Sequence, residues 1–250
     1  MRIFAEPLWT PKAGNTDSEY EDAYWPRRRI EGVTHSRFAV ADGATETSFS
    51  GVWAKQLVRA YCEGFFDSPD NMEWLSALRR KWWAIVRRKP LSWYAEQKLE
   101  SGAFAALLGI TLYQESTTSE CGVWRATAIG DSCLVHMRGS KVLTTFPITT
   151  SESFTNSPVL LSTKASANAP LLGDLVMRQG EWKSGDHFYL MTDAIAAWFF
   201  RAMEQKQSPW NIIRDFEHDP CKPFLSWVQT TRKQNLMRND DVTLYRIEIT

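Results

Sequence analysis

Carboxylates in this chain recur beside its most apolar runs. Asp42 ends Phe38–Asp42 (FAVAD), Asp193 ends Phe188–Asp193 (FYLMTD), and Asp240 and Asp241 stand directly before Val242–Ile249 (VTLYRIEI). Asp131 occupies a tight turn, Gly130-Asp131-Ser132, and Glu21 and Asp22 come just before Ala23-Tyr24. A sheet holds a carboxylate at a strand end rigidly while its oxygens point into a cleft. Taken singly, such an Asp is an ordinary turn or cap residue. Several converging would repel one another and have their pKa values driven up. Hard divalent cations relieve that repulsion; Mg²⁺ and Mn²⁺ favour oxygen ligands and keep some waters. Two such ions a few Å apart can acidify a shared water and clamp a phosphoryl oxygen.

Strands and helices must carry these groups to one place. Arg37–Val40 reads as a β-run leading into Ala41-Asp42-Gly43. A helix capped by Ser48 or Ser50 is expected to about Tyr61, with Trp53, Leu57 and Tyr61 on one face and Gly64 as its stop. Helical periodicity resumes from Asn71 to about Lys98, broken at Pro90. Ala103–Tyr113, Val123–Ile129, Cys133–Met137 and Lys141–Phe146 read as an antiparallel meander with short turns. Pro147–Pro170, rich in Ser, Thr, Asn and Pro, is expected to be irregular and exposed. A strand at His187–Met191, a helix at Ala194–Glu204, more helix between Pro209 and Gln234, and a closing strand at Val242–Ile249 complete the pattern. It predicts an α+β class with packed sheets and helices outside. With no repeat, low-complexity tract or linker, a single domain over residues 1–250 is the economical reading.

Composition narrows the function. Lys plus Arg and Asp plus Glu are 29 each, so nothing global points to nucleic acid or an anionic membrane as partner. No apolar run reaches the roughly 18 residues of a spanning helix, and the start shows no signal core. Cys62, Cys121, Cys133 and Cys221 stand far apart without CxxC pairing, which reads as free buried thiols in a reducing cytoplasm. The 12 tryptophans are expected mainly in the core. The basic run Arg79, Arg80, Lys81, Arg87, Arg88 and Lys89 reads as a solvated helix face. None of His35, His136, His187 and His218 is in a metal-type cluster, and none is assigned a role.

In order along nearly the whole chain, the same residues resemble the protein phosphatase 2C type of metal-dependent Ser/Thr phosphatase. Glu19–Tyr24 (EYEDAY) is similar to its first Glu-Asp motif, Phe38–Gly43 (FAVADG) to its Asp-Gly motif, and Gly102–Leu112 to a core strand. Ala128–Val135 (AIGDSCLV) resembles its Gly-Asp-Ser turn, Asp186–Trp198 the strand ending in Ser-Asp-Gly, and Asn239–Leu244 (NDDVTL) the final Asp-Asn-Val-Thr motif. The resemblance implies two antiparallel sheets sandwiched between helical layers, with the metals in a cleft at one end. It implies Glu21 and the Gly43 carbonyl on the first metal, Asp42 bridging both, and Asp193 and Asp240 on the second. Asp131 would help Asp193 hold a weaker third ion, and Asp22 would stand behind the ligands. Asp42 and Asp193 carry the catalytic assignment. Asp240 is chosen over Asp241 by alignment, with a one-residue shift left open.

The chain also departs from the motif pattern. Asp17 stands four residues before Glu21, where the family carries a phosphate-binding Arg; Lys12 is the substitute, with Arg27, Arg28 and Arg29 as alternatives. Ala194 replaces the Gly after Asp193, and no His follows Gly43. The function this implies is hydrolysis of phosphoserine or phosphothreonine on a protein by a metal-activated water, with two Mg²⁺ or Mn²⁺ ions and a cognate Ser/Thr kinase as a further partner. The competing readings are a non-catalytic phosphatase-like module that binds a partner and a phosphoesterase acting on small molecules.

Overall fold

The computed structural model of the chain describes residues 1–28, 30–31, 37–45, 47, 49–67, 73–88, 99, 101–114, 120–154, 158–168, 175–214, 216 and 221–250. Its strands are β1 (Ile3–Thr10), β2 (Ala23–Trp25), β3 (Ile30–Glu31), β4 (Arg37–Gly43), β5 (Phe104–Tyr113), β6 (Cys121–Ile129), β7 (Cys133–Arg138), β8 (Lys141–Phe146), β9 (Leu161–Ser162), β10 (Val176–Lys183), β11 (Asp186–Met191) and β12 (Val242–Ile249). Its helices are α1 (Ser50–Cys62), α2 (Glu73–Val86), α3 (Asp193–Glu204), α4 (Pro209–Arg214) and α5 (Cys221–Lys233). The strands form two antiparallel sheets, β3-β1-β12-β11-β7-β8 and β10-β6-β5-β4-β2, with β9 added to β5.

Side-chain alternation explains the layering. In a strand, successive side chains face opposite sides. Phe38 and Val40 of β4, Leu108, Ile110 and Leu112 of β5, Phe188 and Leu190 of β11, and Tyr245, Ile247 and Ile249 of β12 meet in the core between the sheets. Their neighbours turn outward. Ala39, Ala41 and Leu107 pack under α1 and α2 through Trp53, Leu57, Tyr61 and Trp82. Tyr189, Met191, Val242 and Leu244 pack under α3 and α5 through Ile195, Phe199, Phe224 and Val228. Because both faces are covered, these strands read as nearly continuous apolar runs. Truncating a fully buried residue such as Leu108 to Ala would cost about 2–5 kcal/mol.

Several expectations are revised. β6 and β7 are not a hairpin: β6 belongs to one sheet and β7 to the other, and the chain crosses between sheets at Gly130–Ser132. The other two steps of the meander, β5 with β6 and β7 with β8, pair antiparallel as expected. Helix α1 begins at Ser50 after Phe49, which takes a left-handed φ of 59°, and Ser50 does not cap it. Strands β1, β2, β3, β9 and β10 were not anticipated; β1 carries Pro7 and β10 is largely exposed, so neither shows clean alternation. Within Pro147–Pro170, Leu161, Ser162 and Asn168 are buried. Cys62, Cys121 and Cys133 are free, and Cys121 is exposed. Ser48, Arg29, His35, His218 and residues 89–98, including the break at Pro90, lie outside the described residues, as does the side chain of Cys221. Among the described residues no helix is long and apolar enough to cross a membrane.

Candidate active site

Four of the singled-out carboxylates line one cleft of about 270 Å³: Asp42, Asp131, Asp193 and Asp240, with Ala44, Thr45, Ala106, Pro158, Leu160 and Arg238. Each arrives by a different local device. Asp42 shares the inner face of β4 with Phe38 and Val40 and comes two residues beyond the apolar core. Asp131 is delivered by the sheet crossing. There Gly130 has φ +95° and a Cβ would lie 2.5 Å from Ala106 Cβ, so only glycine fits. Asp193 is the first residue of α3, directly after β11, and Asp240 lies in the loop entering β12.

Behind the cleft a set of buried polar contacts ties the two sheets together. Asp22, which is buried, accepts hydrogen bonds from the hydroxyls of Thr192 (2.9 Å) and Thr243 (2.7 Å). The Tyr20 hydroxyl bonds to Thr243 in turn. Thr192 sits at the N-cap position of α3 but makes no side-chain cap bond; its oxygen instead accepts the Thr243 N–H at 2.9 Å. Asp241 does not line the cleft. Its two oxygens accept the backbone N–H groups of Lys12 (2.8 Å) and Glu21 (2.7 Å). The adjacent pair Asp240 and Asp241 is thus divided, one carboxylate in the cleft and one holding backbone.

Glu21 stands at the margin. A Cβ on Gly43 would come 2.7 Å from the Glu21 carbonyl oxygen, so Gly43 brings Glu21 against the end of β4. Gly51 lets the start of α1 approach the same segment; a Cβ there would lie 3.0 Å from the Glu21 Cα. The Glu21 carboxylate accepts the Ser50 hydroxyl at 2.5 Å. Neither Glu21 nor Gly43 is among the residues lining the cleft.

Electrostatic crowding is severe. Burial, then the charges of Asp22, Asp193, Asp131 and Asp240, push the Asp42 carboxyl well above the usual range. Burial and Asp131 raise Asp193 to about 7, with Asp240 adding and Arg238 opposing. Burial raises Asp131 too, against its own backbone hydrogen bond and Arg238. Asp22 is raised well above the usual range, by burial first and Asp241 second, with the two threonine hydroxyls working against the shift.

These residues fit a hard divalent cation on three counts. The donors are all oxygen, the mutual repulsion is what a cation would neutralise, and Asp193 Oδ1 is buried with no hydrogen-bond partner. Among the described residues no three acid, His or Cys side chains are already drawn into a closed cage. Arg238 holds Asp193 Oδ2, and Ser50 holds Glu21. Arg238 was missed in the sequence, although its position two residues before Asp240 puts it on the same loop. Lys12 lines a separate groove of about 400 Å³ that includes Trp9, Pro11, Asp17, Phe224 and Arg232. Arg27 and Arg28 line a third hollow beside Trp25 and Ile30. His136 is buried and bonded to Asp186 at 2.9 Å, away from the cleft.

Comparison with known proteins gives the family and the fold. Residues 20–238 match the family model described as protein phosphatase 2C, and the chain belongs to that family. No curated protein matches the sequence. Among solved structures the fold is similar to the photosystem II phosphatase PBCP, at TM-score 0.59 and 14% identity, covering 99% of each chain. It is similar to the catalytic domain of the serine threonine protein phosphatase PstP in complex with 2 manganese ions, at TM-score 0.54 and 13% identity over 99% of each chain. RsbX in complex with magnesium matches at TM-score 0.51 and 15% identity, over 100% of this chain and 96% of that one.

Proposed function

We propose that this protein phosphatase 2C family member hydrolyses phosphoserine or phosphothreonine on protein substrates, using divalent cations held by Asp42, Asp193, Asp240 and Glu21 with the Gly43 carbonyl. The observation that carries the reading is the cleft itself: four carboxylates from four separate segments, with Asp193 Oδ1 buried and unpartnered. The manganese and magnesium named for the PstP and RsbX structures support two Mg²⁺ or Mn²⁺ ions here, with Asp131 available for a weaker third. When bound, such ions supply Lewis acidity toward a phosphoryl oxygen and toward a nucleophilic water.

The chain's own contribution is to place and hold these oxygens. Asp42 is fixed by the β4–β5 pairing, where it faces Ala106. Asp22 holds no ligand position. It fixes Thr192, and through it the start of α3 that presents Asp193. Pro158 and Leu160 give the cleft an apolar wall. Lys12 and Arg232, in the neighbouring groove, are assigned to the substrate protein around the phosphorylated residue. Arg232 connects the two places, bonding the carbonyls of Pro11 and Asp240.

Phosphoserine and phosphothreonine arise by phosphoryl transfer, so a Ser/Thr kinase is the partner that supplies the substrate. The free thiols Cys62 and Cys133 support a reducing compartment, the cytoplasm. One domain over residues 1–250 remains our reading of the organisation. A non-catalytic partner-binding module draws on one observation, that Arg238 and Ser50 already engage two of the acids. The buried, unpartnered oxygen of Asp193 favours the enzyme. The test is orthophosphate release from a phosphothreonine peptide in millimolar Mn²⁺, expected for the wild type, lost with chelator and lost in Asp42→Asn. No release by the metal-supplied wild type would leave the non-catalytic reading standing.

A further inference from the structure

Arg238 is the one cation lining the carboxylate cleft among the described residues. Its guanidinium pairs with Asp193 Oδ2. The two partners differ sharply in their surroundings: the Arg238 side chain is 44% exposed, whereas that of Asp193 is 12% exposed. The arginine can therefore leave for another anion while still meeting solvent. The aspartate cannot leave, and its other oxygen is already without a partner. A cation binding Asp193 would displace Arg238 from it without removing Arg238 from the cleft, because its loop is anchored. Asn239 Oδ1 accepts the Ala13 N–H at 2.7 Å, and Asp241 holds Lys12 and Glu21.

The incoming substrate group is a phosphate monoester carrying up to two negative charges, entering a space walled by Asp42, Asp131, Asp193 and Asp240. A planar guanidinium offers paired N–H donors that match two phosphate oxygens. We propose that Arg238 exchanges partners: it rests on Asp193 while no divalent cation is bound, and turns to two oxygens of the substrate phosphate once a cation takes Asp193. The inference rests on the phosphatase reading of the cleft and adds to it the residue that grips the phosphate.

The test uses the whole chain, Arg238→Met and Arg238→Lys, each stripped of metal. Two calorimetric titrations are made: Mn²⁺ into the stripped protein, and inorganic phosphate into the Mg²⁺-loaded protein. Loss of the competing ion pair, exposed only on its arginine side, should tighten Mn²⁺ binding in Arg238→Met by at least roughly 2–5-fold. Loss of a charged hydrogen-bond donor should weaken phosphate binding by roughly tenfold or more. Arg238→Lys, which keeps the charge but not the fork, should fall between Arg238→Met and wild type in phosphate affinity. Arg238→Met equal to wild type in either titration overturns the exchange while leaving the metal site intact. A wild type that takes up no Mn²⁺ overturns the phosphatase reading, and this proposal with it.

Discussion

Gly43 lies so close to Glu21 that a Cβ at position 43 would sit 2.7 Å from the Glu21 carbonyl oxygen. The glycine of the Asp-Gly pair is required here by approach, since its φ is not in the left-handed region. Gly43→Ala is expected to push Glu21 away from the end of β4. Overpacking of this kind costs about 1–3 kcal/mol. The expected outcome is a lower Tm together with weaker Mn²⁺ binding, read by melting and by titration. Unchanged Mn²⁺ affinity would separate Glu21 from the metal site.

The buried acids predict an unusual pH response for the metal-free chain. Asp193 is raised to about 7 from an ordinary 3.8, chiefly by burial and by Asp131, and Asp42 is shifted the same way. Between about pH 4 and 7 the folded chain therefore keeps protons that the unfolded chain has released. Stability contributed by these groups falls as pH rises through that window. Melting in chelator should give a higher Tm near pH 5 than near pH 8. Asp193→Asn should flatten the trend. A metal-free Tm that climbs from pH 5 to pH 8 equally in both proteins would contradict the charge crowding.

Thr243 joins the cleft end of one sheet to Asp22 beside the other. Thr243→Val removes a hydroxyl that donates to Asp22 and bonds Tyr20. Leaving buried polar groups short of a partner costs about 1–3 kcal/mol. The loss should appear in denaturant melts both with and without metal, because Asp22 is not itself assigned as a ligand. A loss seen only in the metal-loaded protein would place Asp22 among the ligands.

Much of this was legible in the sequence, for identifiable reasons. β4, β5, β11 and β12 are covered on both faces and announce themselves as apolar runs, so the carboxylates at their ends could be located. The choice of Asp240 over Asp241 rests on the family alignment alone, because nothing local says which side chain turns to the cleft and which to the backbone of Lys12 and Glu21. The crossing at Gly130–Ser132 looks in sequence like any hairpin turn; only the pairing of β6 with β5 and β10, and of β7 with β8 and β11, reveals it. Ser50 resembled a cap, but its hydroxyl is used by Glu21. Arg238 was passed over because a lone arginine in a polar loop carries no spacing signal.

Lys12 and Arg238 should separate by substrate. Lys12 lines the groove beside the cleft, so Lys12→Ala should raise KM for a phosphoprotein several-fold and leave KM for a small aryl phosphate unchanged. An equal rise for both substrates would put Lys12 on the phosphate itself.

The central claim is that acids from separate strands gather to bind cations, and metal-coupled melting tests it most directly. Metal that binds only the folded chain stabilises it by about 2.7 kcal/mol at a hundredfold excess over Kd. For a chain of this size that is a rise in Tm of roughly 5–10 °C. Wild type should show this rise between chelator and millimolar Mn²⁺, and Asp42→Asn should show much less of it while melting at least as high as wild type in chelator. Superimposable wild-type melting curves with and without Mn²⁺ would contradict the account.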